Sequence, residues 1–181
     1  MNIKRFRMIS RVSSVLLKMF TVFSIILVVL GLYIITFGDG NFWFTYSGPS
    51  IPLFSTGGSS EGVGITDAEE KLASMIIVPL TVVASSFVLL KGSQIFTWLS
   101  KGETPFSEKF ANTIKRLSLV LIIFDLLIPI IYYSLLSLIS VDGYHYTIGF
   151  GSAFIIGIIL FIVSEIFKYG IELQYLADET V

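Results

Sequence analysis

The chain has no cysteine and a single histidine, His145. Without thiols there is no disulfide framework, no thiolate metal site and no cysteine nucleophile, and the redox compartment leaves no trace in the sequence. The lone imidazole has no Cys, His or helical acid arranged around it, so His145 reads as a polar surface residue rather than a metal ligand. Charge is scarce as well, at 14% of 181 residues against 54% hydrophobic, which is too apolar for an ordinary soluble domain. A zincin helix, a phosphate loop and a serine elbow with a histidine partner are all missing. These absences predict a protein with no catalytic residue, no cofactor site and no metal site.

What fills the chain instead is a series of long apolar runs. A transmembrane helix needs roughly 20 mostly apolar residues, and four stretches qualify, at approximately 15–37, 72–90, 117–138 and 149–167. The expected fold class is all-α: an integral membrane four-helix bundle forming one domain over residues 1–181. A long loop, 38–71, joins the first two spans. A hinge, 91–116, joins the second and third, and a tail, 168–181, follows the fourth.

Orientation follows from where the basic residues sit near the span ends. Lys4, Arg5, Arg7, Arg11 and Lys18 precede span one, Lys91, Lys101, Lys109, Lys115 and Arg116 lie in the hinge, and Lys168 lies in the tail, against Lys71 alone in the long loop. This bias predicts both termini in the cytoplasm and the loop outside. It also explains the basic stretches without direct nucleic-acid binding. The first 18 residues are amphipathic and basic, a positive-inside anchor with a face that can meet anionic headgroups.

Local signals place the helix ends. Thr66-Asp67-Ala68-Glu69 has capping-box spacing and predicts a helix start. Pro79 and Pro129 predict kinks in spans two and three. In the hinge, Gly102 stops one helix and Ser107 caps the next. The loop 38–71 is rich in Gly, Ser and Pro, with Phe42, Trp43, Phe44 and Tyr46. These aromatics fit an interfacial belt, or else Asn41 to Tyr46 and Ile51 to Ser55 pair as a local hairpin.

Asp125 is the costly residue. It lies about 12 Å along a helix from Leu117, near the middle of a hydrocarbon layer about 30 Å thick, where insertion costs about 2.5–3.5 kcal/mol. Ser118, Asp125 and Tyr132 recur every seven residues and form one polar stripe. Two readings stand: an interhelical hydrogen bond to Thr81, Ser85 or Ser86 of span two, or a proton or cation relay through the bundle. Glu165 is expected to pair with Lys168 one turn later. Gly149, Ala153 and Gly157, at i, i+4 and i+8, predict a close-packing helix face, within the bundle or between copies.

The hinge core Gly102-Glu103-Thr104-Pro105-Phe106-Ser107 and the closing stretch Ile166-Phe167-Lys168-Tyr169-Gly170-Ile171-Glu172-Leu173-Gln174, then Asp178-Glu179-Thr180-Val181, resemble the YoaS-like bacterial family of four-span membrane proteins of unknown function. The resemblance implies the cytoplasmic (inner) membrane. Because such proteins are often encoded beside a small helix-turn-helix regulator, it also implies a cytoplasmic protein partner in addition to the lipid bilayer. The partner surface it suggests comprises Gly102, Pro105, Phe106, Ser107, Gly170, Leu173 and Gln174. The expected function is a noncatalytic interaction or regulatory module. The alternative is a small transporter or ion-pathway protein that uses Asp125.

Overall fold

The computed structural model describes residues 3–37, 44, 46, 52–59, 65–103, 107–140, 143 and 145–179. Four long helices dominate: α1 (Ile3–Phe37), α2 (Asp67–Lys101), α3 (Glu108–Ile139) and α4 (Ser152–Glu179). Two short strands, β1 (Pro52–Ser59) and β2 (His145–Gly151), complete the described elements. The fold is helical as expected, with the strand pair as an addition. The spans 15–37, 72–90 and 117–138 lie inside α1, α2 and α3. The basic N-terminal segment belongs to the same unbroken helix as span one, and α2 passes Leu90 without a break. Helical structure also carries through Pro79 and Pro129.

The helix ends follow the local chemistry. The Thr66 amide donates to Glu69 Oε2 at 2.8 Å and the Glu69 amide to Thr66 Oγ1 at 3.4 Å, the reciprocal pair of a capping box. At the end of α2, Gly102 adopts φ +88°. The Gly102 amide donates to the Leu99 carbonyl and the Glu103 amide to the Trp98 carbonyl, at 3.1 and 3.2 Å, which is a complete Schellman closure. The Phe110 amide reaches Ser107 Oγ at 3.4 Å, so Ser107 does cap α3.

Two expectations are corrected. Span four does not start at Gly149: residues 145–151, His-Tyr-Thr-Ile-Gly-Phe-Gly, are a strand, and α4 begins at Ser152. The local hairpin is corrected at its second arm, because residues 52–55 belong to β1, which has a different partner; of the first arm, Asn41 to Tyr46, only Phe44 and Tyr46 are among the described residues and neither is in a strand. β1 pairs antiparallel with β2, from Phe54 opposite Phe150 to Ser59 opposite His145, with an irregularity at Pro52/Phe54 that leaves Leu53 as the extra residue. The β-branched and aromatic residues of β2 suit a pleated ribbon once a partner strand is present.

The chain divides into two compact units. In the first, made of Met1–Val22, Phe87–Ile122 and Ile155–Val181, Ile95, Phe110, Ile114 and Leu117 form the buried cluster. Phe110 meets Phe167 edge-on at 5.3 Å. In the second, Phe23–Ser86 with Ile123–Phe154, the cluster is Ala73, Ile77, Ile128, Tyr132 and Leu136.

The residues covered are mostly small or hydroxylated, including Ser10, Ser14, Thr21, Ser74, Ser93, Ser118, Ser164, Ala73 and Ala111, whereas Phe23, Leu30, Val83, Ile123 and Ile166 are exposed. In water this inversion would leave a very large apolar surface unsatisfied. In lipid it is the expected pattern, because helices there associate through close packing of small residues rather than by burying apolar ones. Ser118, Ser164 and Thr21 each donate to a carbonyl of their own helix three or four residues back, which satisfies hydroxyls that would otherwise face hydrocarbon unpaired.

Candidate functional site

Asp125 sits on α3 and accepts two backbone amides: Gly151 N–H to Oδ2 at 2.5 Å and Phe154 N–H to the same oxygen at 3.2 Å. Phe154 lies in the first turn of α4, whose leading amides have no partner within their own helix. The carboxylate also meets the positive end of the helix dipole. Asp125 therefore caps α4 from a neighbouring helix. The expected hydroxyl partners on α2 are not used. Thr81 Oγ1 donates to the Val78 carbonyl at 2.8 Å, Ser85 is exposed, and Ser86 Oγ is buried without a hydrogen-bond partner among the described residues.

The heptad-spaced polar stripe does not act as one site. Ser118 is bonded to the Lys115 carbonyl at 2.7 Å. Tyr132 instead belongs to a cluster with Ser74 and Tyr46. The Tyr46 amide donates to Ser74 Oγ at 3.2 Å, and the Tyr46 and Tyr132 rings lie 4.7 Å apart. Burial, aided by Tyr133 and then Asp125, raises the Tyr46 phenol to about 12. Nothing in the sequence around Tyr46 marks it as the loop residue that docks onto α2 and α3.

In the other unit the chain brings together the start of α3 and the tail of α4. Glu108, Asn112, Lys168, Ile171, Glu172 and Tyr175 line an open groove of about 330 Å³. Of the expected partner surface, Ser107 is half-buried in its capping role, Gly170 is half-buried, and Leu173 and Gln174 are exposed but do not line the groove. Pro105 and Phe106 lie outside the described residues. Gly102 has a local duty: a Cβ there would come within contact of the Arg7 guanidinium, which lies against the turn. Lys109 stands over the Trp98 ring at 4.1 Å and reaches Glu103 at 3.8 Å, tying the first turn of α3 to the end of α2.

Glu165 does approach Lys168, at 3.8 Å, but its closer partner is Lys115 of α3, at 2.6 Å. Sequence spacing cannot reveal a pair 50 residues apart. The small-residue face divides. Gly149 lies in β2, where a Cβ would strike the Phe54 carbonyl, and Ala153 is half-buried in the first turn of α4. Gly157 alone meets a helix closely, its would-be Cβ lying 3.0 Å from the Ser118 carbonyl and 2.7 Å from Ile122 Cγ1.

A further polar contact joins α1 and α2. Ser14 Oγ donates to the Ser93 carbonyl and Ser93 Oγ to the Ser14 carbonyl, both at 3.1 Å. Thr97 Oγ1 lies 2.8 Å from Ser14 Oγ. Among the described residues no three His, Cys, Asp or Glu side chains gather to hold a metal ion.

The described chain has four helices long and apolar enough to cross a bilayer, and the small and hydroxylated residues among those they bury fit a multi-helix transmembrane protein. No protein-family model, no curated protein and no solved structure matches the chain.

Proposed function

We propose that the chain is a noncatalytic four-span protein of the bacterial cytoplasmic membrane, with both termini in the cytoplasm, that holds a soluble cytoplasmic partner such as a small helix-turn-helix regulator. The observation that carries this reading is the groove in which the hinge residues Glu108 and Asn112 meet the tail residues Lys168, Ile171, Glu172 and Tyr175. Lys168, Ile171 and Glu172 belong to the closing stretch that carries the YoaS-like resemblance, and Glu108 directly follows its hinge core, Gly102 to Ser107. The clustering of Lys and Arg before span one and in the hinge supports their cytoplasmic placement. The transporter alternative needs Asp125 to exchange partners during a cycle. Its commitment to two α4 amides favours the structural role.

A photo-crosslinking residue at Leu173, exposed in the same turn of α4 as the groove residues Ile171 and Glu172, is expected to capture one reproducible soluble protein in native cells. The same residue at Ile159, exposed on the apolar part of α4, should capture lipid only. Glu172→Arg should weaken the Leu173 adduct without changing expression. Lipid as the sole adduct at Leu173 would defeat the proposal.

A further inference from the structure

β1 and β2 raise a problem that the helices do not. Gly151, the last residue of β2, is hydrogen-bonded to Asp125, whereas the chain leaves α3 at Ile139 and begins β2 at His145. From Asp125 to Ile139 a helix rises about 21 Å, and from His145 to Gly151 a strand covers about 20 Å. The two lengths match, so a β2 that runs back alongside the last four turns of α3 delivers the chain to the start of α4 at Asp125, where Gly151 is held. Those turns of α3, Leu126 to Ile139, are apolar apart from Tyr and Ser hydroxyls. The ribbon therefore lies at hydrocarbon depth if α3 crosses the membrane. No Asp, Glu, Lys or Arg occurs in either strand.

Backbone outside a helix is tolerated at that depth only where protein buries it or where it lines a water-filled space. The ribbon has two contrasting faces. Opposed residues share a face, and the register puts Phe54 with Phe150, Thr56 with Ile148, and Gly58 with Tyr146 on one side. The Phe54 and Phe150 rings stack at 5.6 Å, Phe150 meets Phe154 at 5.0 Å, and the Tyr146 ring lies over Gly58. This side is dominated by aromatic rings and Ile148, with Thr56 as its one aliphatic hydroxyl, and is largely exposed: Phe54, Ile148 and Tyr146 are each more than half accessible. The other side carries Ser55 with Gly149 and Gly57 with Thr147. It is small and hydroxylated, and Ser55 and Gly57 are also exposed. Lipid can cover the rings and Ile148 of the first side, but the second has no large apolar side chain to offer it, only Ser55, Thr147 and glycines.

We propose that β1 and β2 form a re-entrant ribbon whose polar face lines a water-filled vestibule that is reached from the outer side and ends at Asp125. Its aromatic face meets lipid. The vestibule admits water and small hydrophilic solutes to the depth at which α4 begins, so α4 crosses only the remaining part of the bilayer. This inference rests on the membrane-crossing topology proposed above.

The cysteine-free chain allows a direct test by single substitutions in oriented membranes. A charged, membrane-impermeant maleimide applied from the outer side is expected to label Ser59→Cys at the rim and Ser55→Cys and Thr147→Cys on the polar face. Thr56→Cys and Ile148→Cys should resist it and react only with a membrane-soluble maleimide. Gel filtration of each variant in detergent shows whether it has folded, and the two polar-face positions report independently. Equal labelling of both faces by the impermeant reagent would place the ribbon in bulk water and overturn the proposal, as would failure to label either polar-face position. If Ser59→Cys is reached only from the opposite side, the topology fails instead.

Discussion

Removing the carboxylate at position 125 tests the assignment of Asp125 as the cap of α4. Asp125→Ala leaves the Gly151 and Phe154 amides without their acceptor. Two orphaned amides at about 1–3 kcal/mol each, partly relieved by water, amount to a loss of about 3 kcal/mol. For a chain of this size, at about 2–4 °C per kcal/mol, the apparent melting temperature in a mild detergent should fall by about 6–12 °C. Asp125→Asn keeps a carbonyl oxygen for the same amides and forfeits chiefly the charge–dipole part, about 0.3–1 kcal/mol. It should therefore melt only about 1–3 °C below the parent.

Membrane insertion should move the other way. Either change removes a residue that costs about 2.5–3.5 kcal/mol at mid-membrane, so yield in the membrane should hold or rise while thermal stability drops. Hydrogen exchange should quicken in the first turn of α4 in the alanine variant. An alanine variant that melts with the parent would refute the cap, and an asparagine variant as damaged as alanine would show that charge, rather than the acceptor, is what matters.

Three further outcomes follow from geometry already described. Gly102→Ala forces an L side chain into φ +88° against Arg7 and should cost about 1–2 kcal/mol, with Gly102→Asn less harmful; equal melting of all three proteins would contradict the Schellman turn. Gly157→Ala must displace Ile122 or the Ser118 carbonyl, costing about 1–3 kcal/mol, whereas Ala153→Gly should change little; calorimetry or detergent melting reads both. The Tyr46 phenol, raised to about 12 in the folded chain against about 10 unfolded, contributes stability that is complete below pH 10 and is lost as pH rises toward 12. Tyr46→Phe should therefore flatten the stability profile between those values, and an unchanged slope would exclude Tyr46 as a source of it.

The parts of the fold that sequence reveals are those governed by neighbours along the chain. Thr66 with Glu69, Ser107, and Gly102 mark their helix ends correctly because capping uses side chains within a few residues of the amides and carbonyls they satisfy. The apolar runs locate the helices for a similar reason. Asp125 is legible as an anomaly, but its partners are not, since a backbone amide has no residue identity to signal it. Gly149 misled because glycine at helical spacing from Ala153 and Gly157 looks the same whether or not the helix has begun. The β1–β2 pairing was hidden because Leu-Phe-Ser-Thr-Gly-Gly carries no alternation of its own and its partner strand lies some 90 residues away. Lys115 with Glu165 escaped for the same reason of distance, and Lys168 was the nearer candidate in sequence but the farther in space.

The Ser14, Ser93 and Thr97 contact bears on how α1 is aligned with α2. Almost all of α1 presents large apolar side chains to its surroundings, and lipid tails solvate such a surface as well as another helix does. The knot of hydroxyls is one polar hold on α2, with the Arg7 guanidinium against the Gly102 turn as another, and interhelical bonds of the hydroxyl kind average about 0.6 kcal/mol each. The knot is directional, since a slide of one residue breaks both reciprocal bonds, so it sets register sharply while contributing little cohesion. The knot thus works as a key for the pairing of α1 with α2: it selects one alignment of the two helices over its neighbours.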